Sequence, residues 1–155
     1  MRHGPCFWLD CVLEKPLEIV PFAPDVFTWP AEEARLIGSR CTQCAAVTFP
    51  AQSSCPRCGS VEMERRLLPR RGTIWSWTTQ GFLPKEPYAG GETPETFKPF
   101  GMGLIQLGDD IRVEARLTES DPTKLRIGGE VELVIIPLRT EASGRQVVTF
   151  AFTPV

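Results

Sequence analysis

Two Cys-x-x-Cys pairs stand within one short stretch of this 155-residue chain, "CTQCAAVTFPAQSSCPRCGS" at 41–60, and nothing else restricts the fold as tightly. Two thiols separated by two residues sit on one tight turn and reach a single ion. Two such turns supply four ligands, Cys41, Cys44, Cys55 and Cys58. Gly59 follows the second pair, where a knuckle turn needs positive φ, and Ala45 holds the corresponding place after the first. Four thiolates fill a tetrahedral zinc and leave no position for water or substrate, so the expected metal is a structural Zn2+. It would stabilise a module too short to hold itself by its own core. Two disulfides are an alternative, without a secretion signal to favour them, and iron in the same cage is another.

After the cysteines the sequence reads as antiparallel β structure. "DIRVEARLT" alternates throughout, with Ile111, Val113, Ala115 and Leu117 inward and Arg112, Glu114 and Arg116 outward. "GTIWSWTTQG" puts Trp75 and Trp77 two apart, on one side of a strand. "FGMGLIQLG" is the next strand, its Gly101 and Gly103 permitting a bend or a close backbone approach, and Gly108 with Asp109 and Asp110 makes a turn. "EVELVIIPL" and "RQVVTFAFT" complete five strands, the number of a small closed barrel of the OB type; a sandwich fragment is the alternative.

Fifteen prolines are about twice the usual share, and nine of them fall before residue 31 or between 84 and 99, so both segments should be extended or looped. Pro30 with Glu32 and Glu33 could open one helical turn, after which "ARLIGSRC" straightens into the strand entering the first knuckle. Phe7, Trp8, Phe22, Phe27 and Trp29 lie on the N-terminal arm without period, and the reading is that they wrap the barrel or dock on a partner chain. Cys6 and Cys11, without matching partners, read as buried apolar residues or as free thiols. The expected architecture is therefore mainly β. It comprises an arm over 1–33 with a short helix, a rubredoxin-like zinc ribbon over 34–68, and a five-stranded OB-fold barrel over 69–155.

Composition narrows the function. A net charge of −2 gives no general positive field for nucleic-acid phosphates, and no apolar run approaches the length of a membrane span, so the chain reads as soluble and cytoplasmic. His3 is the single histidine, which removes Ser-His-Asp and Cys-His arrangements and a histidine-ligated catalytic zinc from the body of the chain. Glu62, Glu64, Glu114 and Glu132 fall at charged or alternating positions that suit solvated strand faces.

The order of these pieces carries a resemblance. Cysteine pairs with "FP" between them and "CPRCGS" at their end, then "RRGTIWSWTT", a proline-rich loop, "PFGMGLIQLGDDIRVEARL" and "LRIGGEVELVI" resemble the acyl-CoA-associated OB-fold proteins with a rubredoxin-like zinc ribbon. That family was first catalogued as a domain of unknown function. The resemblance covers roughly residues 30 to 155. It implies a non-catalytic accessory subunit of a thiolase-like, aldolase or hydratase enzyme, with the catalytic groups on the partner and the OB module helping to enclose a coenzyme A thioester. A benzoylsuccinyl-CoA type of thiolase is one setting that it implies.

Candidate coenzyme A contacts follow from residue chemistry. Arg65, Arg66, Arg70 and Arg71 between ribbon and barrel offer guanidinium forks for phosphates, or salt bridges that serve only the structure. Trp75, Trp77, Phe82 and Phe100 could line an apolar channel, or fill the barrel. The loop over 83–99, with Tyr88 beside Gly90 and Gly91, could close over a ligand or insert into a partner. Two other classes remain: a single-stranded nucleic-acid module, since zinc ribbons and OB barrels both serve there, and electron transfer through iron in the cage.

Overall fold

The computed structural model describes residues 17–155, so the expectations for His3, Cys6, Phe7, Trp8 and Cys11 lie outside the described residues. Nine strands and no helix make up the described part. They are β1 (Ile19–Pro21), β2 (Ile37–Cys41), β3 (Val47–Thr48), β4 (Met63–Leu67), β5 (Arg71–Gln80), β6 (Phe100–Leu107), β7 (Ile111–Leu117), β8 (Glu130–Thr140) and β9 (Gln146–Pro154).

The last five close on themselves. β5 pairs with β6 and β6 with β7, both antiparallel; β7 meets β9 in parallel, β9 pairs antiparallel with β8, and β8 returns to β5. This is the closed five-stranded barrel, and closure leaves none of its strands as a free edge. The alternation in β7 sorts its side chains as the sequence demands: Val113, Ala115 and Leu117 are buried, while Arg112 and Glu114 are exposed and Arg116 half-buried. Inside, Ile74, Ile105, Leu107, Val131, Leu133 and Phe152 are almost wholly enclosed. Each such side chain contributes about 1.5–3 kcal/mol by leaving water.

β2, β3 and β4 form a separate three-stranded sheet, the ribbon, with β2 at its centre. Ribbon and barrel share one core, because Leu36 and Leu68 at the ends of the β2–β4 pair belong to the same buried cluster as Ile105 and Phe152. Phe49 of the ribbon meets Phe150 of β9 edge-on, ring centroids 5.7 Å apart. The arm does wrap the barrel over its described length. β1 adds to β9 in parallel, and Phe22, Phe27 and Trp29 run into the aromatic cluster around Phe150.

Two local expectations are corrected. The short helix after Pro30 does not form: Glu32 and Glu33 lie in a turn, and the chain doubles back so that Phe27 and Leu36 bridge antiparallel. The Thr28 amide donates to the Arg35 carbonyl, and the Arg35 amide to Thr28 Oγ1, both at 2.9 Å. Burying Phe27 and Leu36 together requires this reversal, and one isolated helical turn offers too little to compete.

The second correction concerns the tryptophans. The register of β5 against β6 slips between Ile74 and Ser76, which makes Trp75 the extra residue of a bulge. Trp77 packs against the core, whereas Trp75 is 51% exposed, so the two do not share a face.

Candidate functional site

The two knuckles are built alike. The Cys41 amide donates to the Ala46 carbonyl and the Ala45 amide to the Cys41 carbonyl; the Cys55 amide donates to the Ser60 carbonyl and the Gly59 amide to the Cys55 carbonyl. Ala45 and Gly59 both take positive φ, 59° and 75°, which closes each turn beneath its sulfurs. The four Sγ atoms lie within 4.8 Å of one another, with Cys41–Cys58 and Cys44–Cys55 both at 3.6 Å. A tetrahedral zinc with bonds of about 2.3 Å sets a sulfur–sulfur edge near 3.8 Å, so the donors fit one such ion. Four thiolates complete its coordination and would leave it a structural role.

Backbone amides prepare the sulfurs unequally. The Cys44 N–H lowers the Cys41 thiol to about 7, and the Cys58 N–H lowers that of Cys55. The Ser60 N–H acts the same way on Cys58, but the thiols of Cys44 and Cys41 outweigh it and push Cys58 up to about 12. Below the cage the buried hydroxyls of Ser39 and Thr48 meet at 2.7 Å, and the Gln52 amide donates to Ser39 Oγ at 2.9 Å, tying the inter-knuckle loop to β2.

The four connector arginines gather in two pairs and not at one point: Arg65 and Arg66 line a cleft of about 510 Å³ with Arg40 and Glu64, and Arg70 and Arg71 share Glu132. Arg65 reaches toward Asp25 at 4.0 Å while Arg66 pairs with Asp110 at 2.8 Å. Arg70 bridges Glu33 and Glu132, both at 3.3 Å, and Arg71 also meets Glu132, at 3.2 Å. Each of the four thus has a carboxylate of this chain beside it. Arg65 and Arg71 keep the most exposed side chains of the set.

The aromatic candidates separate too. Trp75 lies under the Arg112 guanidinium, 3.5 Å from ring centroid to Cζ, and Phe82 is 75% exposed at the start of the long β5–β6 loop. Of the eight residues, Phe100 alone lines the most apolar of the described clefts, about 470 Å³ across the outward side of β5, β6 and β7. Tyr88 and Pro84 of the loop form one wall, and Leu138 and Phe150 another. Arg116 stands over the Phe100 ring at 3.7 Å. Sequence reasoning set Arg116 on a solvated face; the signal that could have found it is its diagonal relation to Phe100 across the β6–β7 pair, where Met102 is its direct partner.

Comparison with known proteins matches residues 28–64 to the ChsH2 rubredoxin-like zinc ribbon domain and 65–135 to the ChsH2 C-terminal OB-fold domain. The chain is also 33% identical over 144 residues to the benzoylsuccinyl-CoA thiolase subunit BbsA of Thauera aromatica, covering 92% of this chain and 93% of that one. This chain belongs to the ChsH2 family of zinc-ribbon and OB-fold proteins. A DUF35 domain-containing scaffold protein of Pyrococcus furiosus is 31% identical over 125 residues, covering 80% of this chain and 86% of its own. Among solved structures, a chain of the Ltp2–ChsH2(DUF35) aldolase superposes with a TM-score of 0.56 at 25% identity, over 77% of this chain and 84% of that one.

Proposed function

We propose that this ChsH2-family chain is a non-catalytic accessory subunit of a thiolase-like enzyme, helping to bind a coenzyme A thioester and to hold the complex together. The observation that carries this reading is the identity to BbsA, a thiolase subunit, along nearly the whole of both chains. Likeness to a chain of the Ltp2–ChsH2 aldolase supports a role beside a larger enzyme. The chemistry agrees with it. A tetrathiolate zinc at Cys41, Cys44, Cys55 and Cys58 would be coordinatively complete, and His3 is the chain's single histidine.

In this reading the coenzyme A thioester runs along the β5–β6 loop toward Phe100, with exposed Phe82 meeting the partner and the outlying guanidinium of Arg65 or Arg71 reaching the phosphates. The single-stranded nucleic-acid alternative needs a run of open aromatic faces, whereas Arg112 and Arg116 lie over Trp75 and Phe100 and leave Phe82 as one isolated open ring among the candidates.

Co-purification from cells expressing the tagged chain with the thiolase-like enzyme encoded beside it tests the proposal. Thioester turnover should collapse when this chain is omitted and return when it is added back. Full turnover by the larger enzyme alone, or thioester conversion by this chain alone, overturns the reading.

A further inference from the structure

The cleft over β5, β6 and β7 has a chemical character of its own. Its floor and sides are apolar and aromatic, from Met102, Leu138, Phe150, Phe100 and Tyr88, and its volume falls within the range of small-molecule sites. Into it faces one half-buried cation, Arg116. None of the ion pairs among the described residues involves Arg116, and it is the one cation among the cleft's lining residues. Stacking on Phe100 holds the guanidinium flat, which removes much of the rotamer freedom that binding an anion would otherwise cost.

Among the described residues two acidic groups stand near it. Glu114 lines the exposed rim, and Glu92 lies behind Tyr88, whose hydroxyl donates to Glu92 Oε1 at 3.2 Å. Burial pushes the Tyr88 phenol above its ordinary value, Arg116 offsets part of that rise and Glu92 adds to it, so Tyr88 stays a neutral hydroxyl. These carboxylates repel a phosphate dianion about twice as strongly as a monoanion, and a guanidinium fork matches a carboxylate in geometry. The apolar walls call for a hydrocarbon or aromatic body behind that charge.

We propose that this cleft binds a small organic carboxylate with an apolar or aromatic body, its carboxylate paired with Arg116 and its body held between Tyr88, Phe100 and Phe150. The carboxylate could be that of a free acid or the distal group of an acyl chain. The cleft is the one toward which the proposed function runs the thioester, so the acyl-chain form rests on that reading, whereas binding of a free acid by this chain alone does not.

Titration calorimetry on the full-length, zinc-loaded chain tests it with 3-phenylpropionate, its neutral amide, succinyl-CoA and butyryl-CoA. The acid should bind at least tenfold more tightly than the amide. Arg116→Gln should abolish that preference, Arg116→Lys should keep part of it, and Arg112→Gln, which removes an equally stacked cation outside the cleft, should leave it intact. A preference for succinyl-CoA over butyryl-CoA that vanishes in Arg116→Gln assigns the carboxylate to an acyl chain; acid binding without that preference assigns it to a free acid. Acid and amide binding equally, no binding of any anion, or an Arg116→Gln chain that keeps native zinc content and the full preference each overturn the proposal.

Discussion

Ala45 and Gly59 hold the same place in the two knuckles: each donates its amide to the carbonyl of the first cysteine of its pair, and each takes left-handed φ, 59° and 75°. That conformation costs an L-residue about 1–2 kcal/mol, and glycine almost nothing. Ala45→Gly should therefore stabilise the metal-loaded protein by about 0.5–1 kcal/mol, part of the relief being returned through the looser unfolded chain. Gly59→Ala should cost about 1 kcal/mol, purely through backbone conformation, because a Cβ there meets nothing within 4 Å. Urea midpoints of the two variants check both signs.

Metal removal should act on the ribbon first. Structural zinc contributes on the order of 10 kcal/mol in isolated zinc modules, more than a sheet of three short strands supplies for itself. Chelation, or Cys58→Ser, should lower the thermal midpoint and expose Leu36 and Leu68 while the barrel strands persist. In the metal-free cage the Cys58 thiol, pushed up to about 12, holds its proton at neutral pH, and the Cys41 thiol, near 7, is about half protonated. Zinc binding must displace these protons, so affinity should fall as pH falls, by about a decade or more per pH unit. A chelator competition run at several pH values measures the slope.

Gly101 faces inward where β6 passes the end of β7, and a Cβ there would collide with the Glu119 carbonyl oxygen and press on Leu117. Backbone cannot move aside as a flexible side chain can. Gly101→Ala should destabilise the barrel by about 1–3 kcal/mol without changing zinc content. Chemical denaturation read by circular dichroism, alongside metal analysis, distinguishes this from a ribbon effect.

Glu119 accepts the amides of Asp121 and Ser120, both at 2.9 Å, and the Lys124 ammonium at 3.0 Å. The Asp121 amide first, then Lys124 and the Ser120 amide, hold its carboxyl below the usual glutamate value. A depressed carboxylate stabilises the fold above its unfolded pKa, and that contribution disappears as pH falls through the folded value. Wild type should exceed Glu119→Gln in stability by a constant margin from pH 6 to 8, and the margin should shrink below about pH 4.5. Urea midpoints across that range give the comparison.

Properties set by neighbours along the chain were legible in the sequence. The spacing of Cys41, Cys44, Cys55 and Cys58 dictates a tetrathiolate cage whatever surrounds it, and the period of two in β7 determines which side chains enter the barrel. All five barrel strands follow from the same alternation and its turn residues. What depended on distant partners was not legible. The bulge that turns Trp75 outward arises from pairing β5 against β6, and the chain reversal that replaces a helix after Pro30 arises from burying Phe27 with Leu36. Four arginines within seven residues of chain meet Asp25, Asp110, Glu33 and Glu132, with Arg70 and Arg71 sharing Glu132, through the seating of ribbon on barrel.

The cleft shows the division most clearly. Tyr88, Phe100, Arg116, Leu138 and Phe150 span more than sixty residues of chain, and no local period relates them. Sequence by itself determined the metal cage, the strand faces and the barrel; closure of β7 against β9, with the β5–β6 loop folded beside them, decided where a cation and an apolar surface would meet. Thiol spacing and strand alternation act within a few residues, whereas a cleft exists only once hydrophobic burial has closed the sheet.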